Sequence, residues 1–180
     1  LAIGFVIAVI VGFAVAAYRW KTQQAERAAS DALLELRTPL TSGEKPTPPS
    51  AAAYLKVAGD FPGTDAAERA LLLAAGALFA EGKYAEAQAQ FSRFAEEHAR
   101  HALAAQAAYG KAASLEAQGK LDEALAAYQG WLTQHPKTAP ADDVRLAVAR
   151  IYEIKQQPAS ALKVYEEITR PNVPSATSTE

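Results

Sequence analysis

Residues spaced 37 apart correspond to one another along more than half of this chain, and that period constrains the fold more than any single motif. Ala87, Ala124 and Ala161 align at this offset, as do Phe91, Tyr128 and Tyr165, and Phe94, Trp131 and Ile168. One helix earlier, Ala75, Ala112 and Ala149 align, followed by Leu78, Leu115 and Tyr152. Gly82 and Gly119 fall at one further shared position, with Gln156 in the third copy. A unit of this length cannot bury its own apolar face, so the copies must stack and share a core. Alanine makes up about a quarter of the chain, far above ordinary usage, and the recurring alanines mark places where helices approach closely.

Each copy reads as a small residue, an aromatic or Leu three later, a Gly turn, a small residue and an aromatic four later, which predicts a helical hairpin. The boundaries agree. Asp65 followed by Glu68 has the form of a capping box, Gly82 and Gly119 sit where glycine ends a helix, and Pro136 and Pro171 would stop second helices. Pro158 fits the first turn of its helix. A degenerate earlier unit places Ser50, Tyr54 and Val57 at the positions of Ala87, Phe91 and Phe94. Its partner is the segment from Trp20 to Leu36, where Ala25, Ala28, Ala29, Ala32, Leu33 and Leu36 make one apolar face. Between them lies "TPLTSGEKPTPPS", whose four prolines and Gly43 forbid helix, and the chain closes on the polar, frayed "PNVPSATSTE". The stretches "AAGALFAEGKYAEAQAQFSRF", "AAYGKAASLEAQGKLDEALAAYQGWLTQHP" and "LAVARIYEIKQQPASALKVYEEI" resemble the tetratricopeptide repeat. They depart from it in a longer period, since the usual unit has about 34 residues, and in Ala99 standing where the second unit has Pro136.

The chain opens "LAIGFVIAVIVGFAVAAYRWK". Leu1 to Ala17 carries no charge and no proline, and with Tyr18 the run reaches the length of about 17 to 25 residues that a helix needs to cross a bilayer. It is apolar on every side, as lipid demands, and Tyr18, Arg19, Trp20 and Lys21 form an aromatic and basic belt at its end. The rival is a cleavable signal peptide, for which Ala14-Val15-Ala16 has the small-x-small form. With no Met in the chain, a further segment is expected before Leu1, carrying the other flank of the span. Arg19 and Lys21 alone favour keeping the following domain in the cytoplasm, but orientation depends on both flanks. Gly4, Ala8, Gly12 and Ala16 recur every four residues, a seam through which a membrane helix packs closely on another.

The expected architecture is therefore all-α: a transmembrane helix over 1–18, then a juxtamembrane helix, Pro-rich loop and degenerate unit over 19–61. Three tetratricopeptide-like repeats over 62–170 and a flexible tail over 171–180 complete a solenoid of helical hairpins. A net charge of -2 and a pI of about 6.0 give no basic footprint for nucleic acid. The absence of Cys excludes disulfides, thiol catalysis and thiolate metal sites without choosing a compartment. His98 and His101, with Glu96 and Glu97 beside them, are too few to hold zinc, which wants three protein ligands. His135, before Pro136, reads as a helix terminus where a cation suits the dipole. Gly82-Lys83 and Gly119-Lys120 are hairpin turns rather than a phosphate loop, and no Ser sits on a nucleophile elbow. No enzymatic role, cofactor or metal is expected.

Function then lies on surfaces. In stacked hairpins the first helices line a groove, and the positions one turn off the core stripe are Arg69, Leu72 and Phe79, then Gln106, Tyr109 and Glu116, then Asp143, Leu146, Arg150 and Glu153. A mixed apolar and charged groove suits a peptide or protein segment, the alternative being that some of these, Leu72 above all, pack on a neighbouring helix. The aromatic repeat positions Phe91, Phe94, Tyr128, Trp131 and Tyr165 are expected in the core rather than in a ligand cage.

The order of an apolar span, "YRWK", the amphipathic "QAERAASDALLEL" and tetratricopeptide-like hairpins resembles the YfgM family of bacterial inner-membrane proteins. That resemblance implies a periplasmic repeat domain on a single-pass inner-membrane anchor, working as an ancillary partner of the Sec translocon beside a membrane-anchored periplasmic chaperone, with no catalytic residues. The expected role is a membrane-anchored protein-interaction scaffold, with membrane proteins as partners of the span and proteins or peptides as partners of the groove. The alternative is a structural accessory subunit that stabilises another large membrane complex.

Overall fold

The computed structural model describes residues 2–37, 48–138 and 140–169, with residues 2–9 and 37 in backbone only. Among these residues every regular element is an α-helix: α1 (Ala2–Arg37), α2 (Ala51–Asp60), α3 (Asp65–Ala80), α4 (Tyr84–Glu97), α5 (Ala104–Ala117), α6 (Leu121–Gln134), α7 (Ala141–Ile154) and α8 (Pro158–Thr169). The chain divides into two compact units, Leu1–Gln90 and Phe91–Glu180, with the division inside α4.

In the first unit α2 packs along α3, and α1 touches both. Ser50 caps α2 by accepting a hydrogen bond from Ala53 N, and Ala51, Tyr54 and Val57 form its buried stripe. Tyr54 and Val57 are thus buried like Phe91 and Phe94, whereas Ser50, expected at the position of the enclosed Ala87, stands exposed at the cap because α2 begins only after it. The apolar face expected on α1 is narrower than the sequence suggests. Ala29 is fully buried and Ala25, Ala32, Leu33 and Leu36 are half-buried, whereas Ala28 is exposed. The start of α3 also differs from expectation. Its N-cap is Thr64, not Asp65: the Thr64 hydroxyl accepts from Ala67 N at 3.1 Å and donates to Phe61 O at 2.8 Å. A Thr in extended backbone one residue earlier outcompetes the Asp, because its hydroxyl serves the helix and the preceding turn together.

Three hairpin turns repeat one geometry. Lys83 N donates to Leu78 O, Lys120 N to Leu115 O and Gln157 N to Tyr152 O, at 2.9, 3.0 and 2.8 Å. The residue before each donor lies in the left-handed region: Gly82 at φ 76°, Gly119 at φ 75° and Gln156 at φ 58°. This is the six-to-one bond of a helix closed by a left-handed residue. The third copy keeps the conformation although its Gln carries a Cβ.

The second unit packs α5 on α6, α6 on α7 and α7 on α8. Its core joins Ala112, Leu115, Ala124, Tyr128, Trp131, Val144, Val148 and Ile151. Every alanine of the 37-residue register is buried, with Ala75, Ala87, Ala112, Ala124 and Ala149 fully enclosed and Ala161 nearly so. Phe91, Phe94, Tyr128 and Trp131 are buried as expected, but Tyr165 and Ile168 are only half-buried. The physical reason is position: in the preceding copy Tyr128 and Trp131 lie under α7, and no described helix follows α8 to cover their counterparts. Pro136 stands two residues beyond the end of α6 and Pro158 opens α8, as expected. Most of the Pro-rich loop, Pro171 and the C-terminal tail lie outside the described residues.

Among the described residues no helix is long and apolar enough to cross a membrane. Nine residues of the apolar run, 1–9, have no described side chains, so the span expected over 1–18 lies half outside the description.

Candidate functional site

The N-terminal helix is continuous for 36 residues, and its described side chains divide sharply. From Ile10 to Gln24 every residue is exposed, including Phe13 at 78% and Trp20 at 67%, and packing begins only at Ala25. Tyr18, Arg19, Trp20 and Lys21 all lie on this exposed stretch. Gly12 and Ala16 are exposed too, and a Cβ added at Gly12 would meet nothing within 4 Å. Gly4 and Ala8 share the helix but belong to the part described in backbone only.

Where α1 does pack, a charged residue makes the joint. Glu26, half-buried on α1, accepts hydrogen bonds from Asp65 N at 2.7 Å through Oε2 and from Ala66 N at 3.1 Å through Oε1. These are two of the donors that the first turn of any helix leaves unsatisfied, and a carboxylate there also meets the positive end of the helix dipole. Glu26 therefore ties α1 to α3. Thr22, Gln23, Ala25 and Glu26 face Pro62 to Asp65 across a small open cleft of about 260 Å³. Sequence periodicity misses this contact because its partners lie 39 and 40 residues away.

The groove positions of the first unit do not behave alike. Arg69 is exposed. Leu72 is buried, a correction to its placement in the groove: it sits with Ala70, Ala74 and Ala75 in the apolar stripe of α3. Phe79 is half-buried and meets the Tyr84 ring edge-on at 5.1 Å across the hairpin turn.

In the second unit the candidates converge. Arg150 on α7 grips Glu116 on α5 with both arms of its guanidinium, Nε to Oε1 at 2.7 Å and Nη2 to Oε2 at 3.0 Å. Tyr128 on α6 donates its hydroxyl to the same Oε2 at 3.0 Å. The Tyr109 ring tilts against Tyr128 at 5.8 Å. One carboxylate thus joins three consecutive helices. Burial first, then the neighbouring Glu116 carboxylate, pushes the Tyr128 hydroxyl well above the ordinary tyrosine range, while the hydrogen bond to Glu116 raises Arg150 further. A two-armed arginine on a carboxylate is a directional, charge-assisted contact, and the Glu116 side chain is only 15% exposed. Lys155 pairs with Asp122, and Gln129 donates to the Tyr152 hydroxyl at 3.0 Å, giving two further ties between these hairpins.

Half of the Glu116 arrangement recurs. Thirty-seven residues on, Tyr165 donates to Glu153 at 3.1 Å, and this bond is the chief cause that raises the Tyr165 hydroxyl. In the first hairpin the matching positions are Phe91 and Phe79, where hydroxyl and carboxylate are both lacking. The remaining candidates, Gln106, Asp143 and Leu146, are exposed. Leu146 occupies the repeat position of Tyr109, so one apolar or aromatic side chain stands in the open on α5 and another on α7.

The histidines recur structurally as well. His98 tilts on Phe94 at 5.0 Å and His135 on Trp131 at 4.9 Å, one turn further along each second helix. His101 also meets Phe94, edge-on at 5.6 Å, and its Nδ1 accepts from Leu103 N at 3.0 Å.

The sequence model of the tetratricopeptide repeat-like domain matches residues 1–134. The match takes in the apolar N-terminal run together with the hairpins up to the end of α6. No curated protein matches the chain.

Proposed function

The chain belongs to the tetratricopeptide repeat-like family, and from that premise we propose that it is a membrane-anchored scaffold that binds other proteins and catalyses nothing. The observation that carries the reading is the division of α1. From Ile10 to Gln24 its side chains stand exposed on all sides, while from Ala25 on it is built into a repeat unit, and an exposed apolar surface of this kind is an interaction site for lipid or protein. The family match includes that apolar run, which supports its being part of the architecture rather than a disposable leader. The belt from Tyr18 to Lys21 suits a headgroup region. On the repeats, Tyr109 and Leu146 offer exposed apolar contacts beside the Glu116 and Arg150 charges, a mixture that suits a protein segment.

The finer reading is an ancillary factor of the Sec translocon in the bacterial inner membrane, with the repeats in the periplasm and an envelope chaperone nearby. Its support is the resemblance in the order of span, "YRWK", amphipathic helix and hairpins. Site-specific photocrosslinkers at Tyr109 and Leu146 in intact membranes test it. Adducts with translocon subunits or a periplasmic chaperone are expected. Adducts confined to one subunit of another complex, copurifying at fixed stoichiometry, would make the chain a structural accessory subunit, and a surface without protein adducts overturns the scaffold reading. Gly12→Leu should weaken copurification with membrane partners and leave the repeats folded, if the Gly4, Ala8, Gly12 and Ala16 face packs on another helix.

A further inference from the structure

The 37-residue register makes the outer face of the last hairpin a copy of a surface that is occupied one repeat earlier. On α6, Leu125 packs against the core that α7 closes, and Tyr128 and Trp131 are 1% and 4% exposed. Beside them Glu116 holds both the Tyr128 hydroxyl and the Arg150 guanidinium of α7. On α8 the matching residues are Leu162, Tyr165 and Ile168, and Glu153 matches Glu116. Leu162 is 58% exposed, Tyr165 and Ile168 are half-buried, and the Tyr165 hydroxyl already lies on Glu153. Among the described residues Glu153 pairs with no Lys or Arg. The apolar steps, the tyrosine and the carboxylate are all in place, and the arginine is not.

We propose that this face, Leu162, Tyr165, Ile168 and Glu153, docks an amphipathic helix of another protein that carries an arginine, laid on α8 as α7 lies on α6. The inference rests on the scaffold reading and specifies the chemistry of one of its partners. The template for that partner is α7 itself, in which Val144, Ala147, Val148 and Ile151 form the apolar stripe and Arg150 stands beside it. Charge argues against a second copy of this chain meeting the face through its own α8. Lys163 is the one cation on α8, beside Glu166 and Glu167, so two such faces would bring like charges together. Arg150 is in turn committed to Glu116. The occupant that fits is an arginine-bearing amphipathic helix from a different polypeptide.

A labelled, helix-stabilised peptide copying Ala141–Ile154, added to the full chain in detergent, tests this. Saturable binding is expected. It should weaken about tenfold with Glu153→Gln in the protein or with Gln in place of the peptide's copy of Arg150, and no further when both changes are combined, since the two groups form one charge-assisted contact. Leu162→Glu, at an exposed position, should abolish binding without altering the circular dichroism of the chain. Equal affinity for Glu153→Gln, or no saturable binding at all, overturns the proposal. So does a concentration-dependent dimer that Leu162→Glu dissolves, which would make a second copy the occupant. Any of these failures leaves crosslinking from Tyr109 and Leu146 untouched, whereas the scaffold reading fails only with those crosslinks.

Discussion

Phe91 lies so close to Gly110 that a Cβ built on the glycine would stand 2.5 Å from the ring's Cζ and 2.6 to 2.7 Å from both Cε atoms. Gly110 is buried in the middle of α5, where glycine is intrinsically unfavourable, and its place there is explained by the ring that occupies the space of its missing side chain. Ser114, one turn on, is also fully buried and donates its hydroxyl to Gly110 O at 2.8 Å.

Gly110→Ala should therefore destabilise the chain by about 1–3 kcal/mol through overpacking, measured by chemical denaturation, and Phe91→Leu in the same chain should recover part of the loss. Gly76→Ala provides the contrast. A Cβ there meets nothing within 4 Å, so the change should be neutral or stabilise by about 0.5–1 kcal/mol. Equal effects at the two glycines would contradict the role given to Phe91.

Gln156→Gly should stabilise the third hairpin. Gln156 sits at φ 58° where the two preceding turns have glycine, and a side chain in the left-handed region costs about 1–2 kcal/mol, part of which the greater chain entropy of glycine offsets. The net gain expected in a thermal melt is about 0.5–1 kcal/mol. A loss of stability would mean that the Gln side chain makes a contact worth more than the strain.

Glu26→Ala should cost about 1–2 kcal/mol and accelerate hydrogen exchange at the Asp65 and Ala66 amides, because both lose their acceptor while the Thr64 cap on Ala67 N remains. Glu26→Gln, which keeps one carbonyl oxygen, should fall between the two. Unchanged exchange at those amides would remove Glu26 from the joint between α1 and α3.

Alkaline pH should act through Tyr128. Its folded value lies above the ordinary 10.0, so above that pH the unfolded chain releases the phenolic proton while the folded chain keeps it. The stability the group contributes is complete below pH 10 and is lost as the pH climbs beyond it. Tyr128→Phe, which installs the side chain present at Phe91, should be less stable at pH 8 by about 0.5–1.5 kcal/mol. Above pH 10 that gap should close by about 1.4 kcal/mol per pH unit. Melting curves that fall in parallel for both proteins would show that Tyr128 is not the group responsible.

The repeating alanines and left-handed turns were legible in the sequence because each is a local demand renewed at a fixed period: Ala124 must be small wherever two helices cross, and Gly119 must tolerate positive φ wherever the hairpin turns. The exceptions were illegible for the converse reason. Leu72 looks like a groove residue by register, yet the stripe of α3 widens locally to enclose it. Glu26 looks like solvated charge on a helix face, and only the approach of α3 turns it into a cap. The Glu116 and Arg150 pair lies 34 residues apart, off the period itself, so comparison of copies shows each residue separately and not their contact. The Tyr128 and Glu116 pair was within reach, since both partners recur together at Tyr165 and Glu153 and are both replaced at Phe91 and Phe79.

Because α1 runs without a break from its apolar half into the half that Glu26 fastens to α3, it behaves as a torsion shaft rather than a tether. Its 36 residues amount to about 54 Å of continuous helix, and each residue turns the axis by about 100°. The azimuth at which the apolar half meets its surroundings is thereby geared to the azimuth at which Glu26 meets α3. One residue inserted between Trp20 and Gln23 would lengthen the shaft by only about 1.5 Å but swing Trp20 and the residues before it more than a quarter turn, so contacts that depend on the facing direction would be lost while those that depend on length alone would survive.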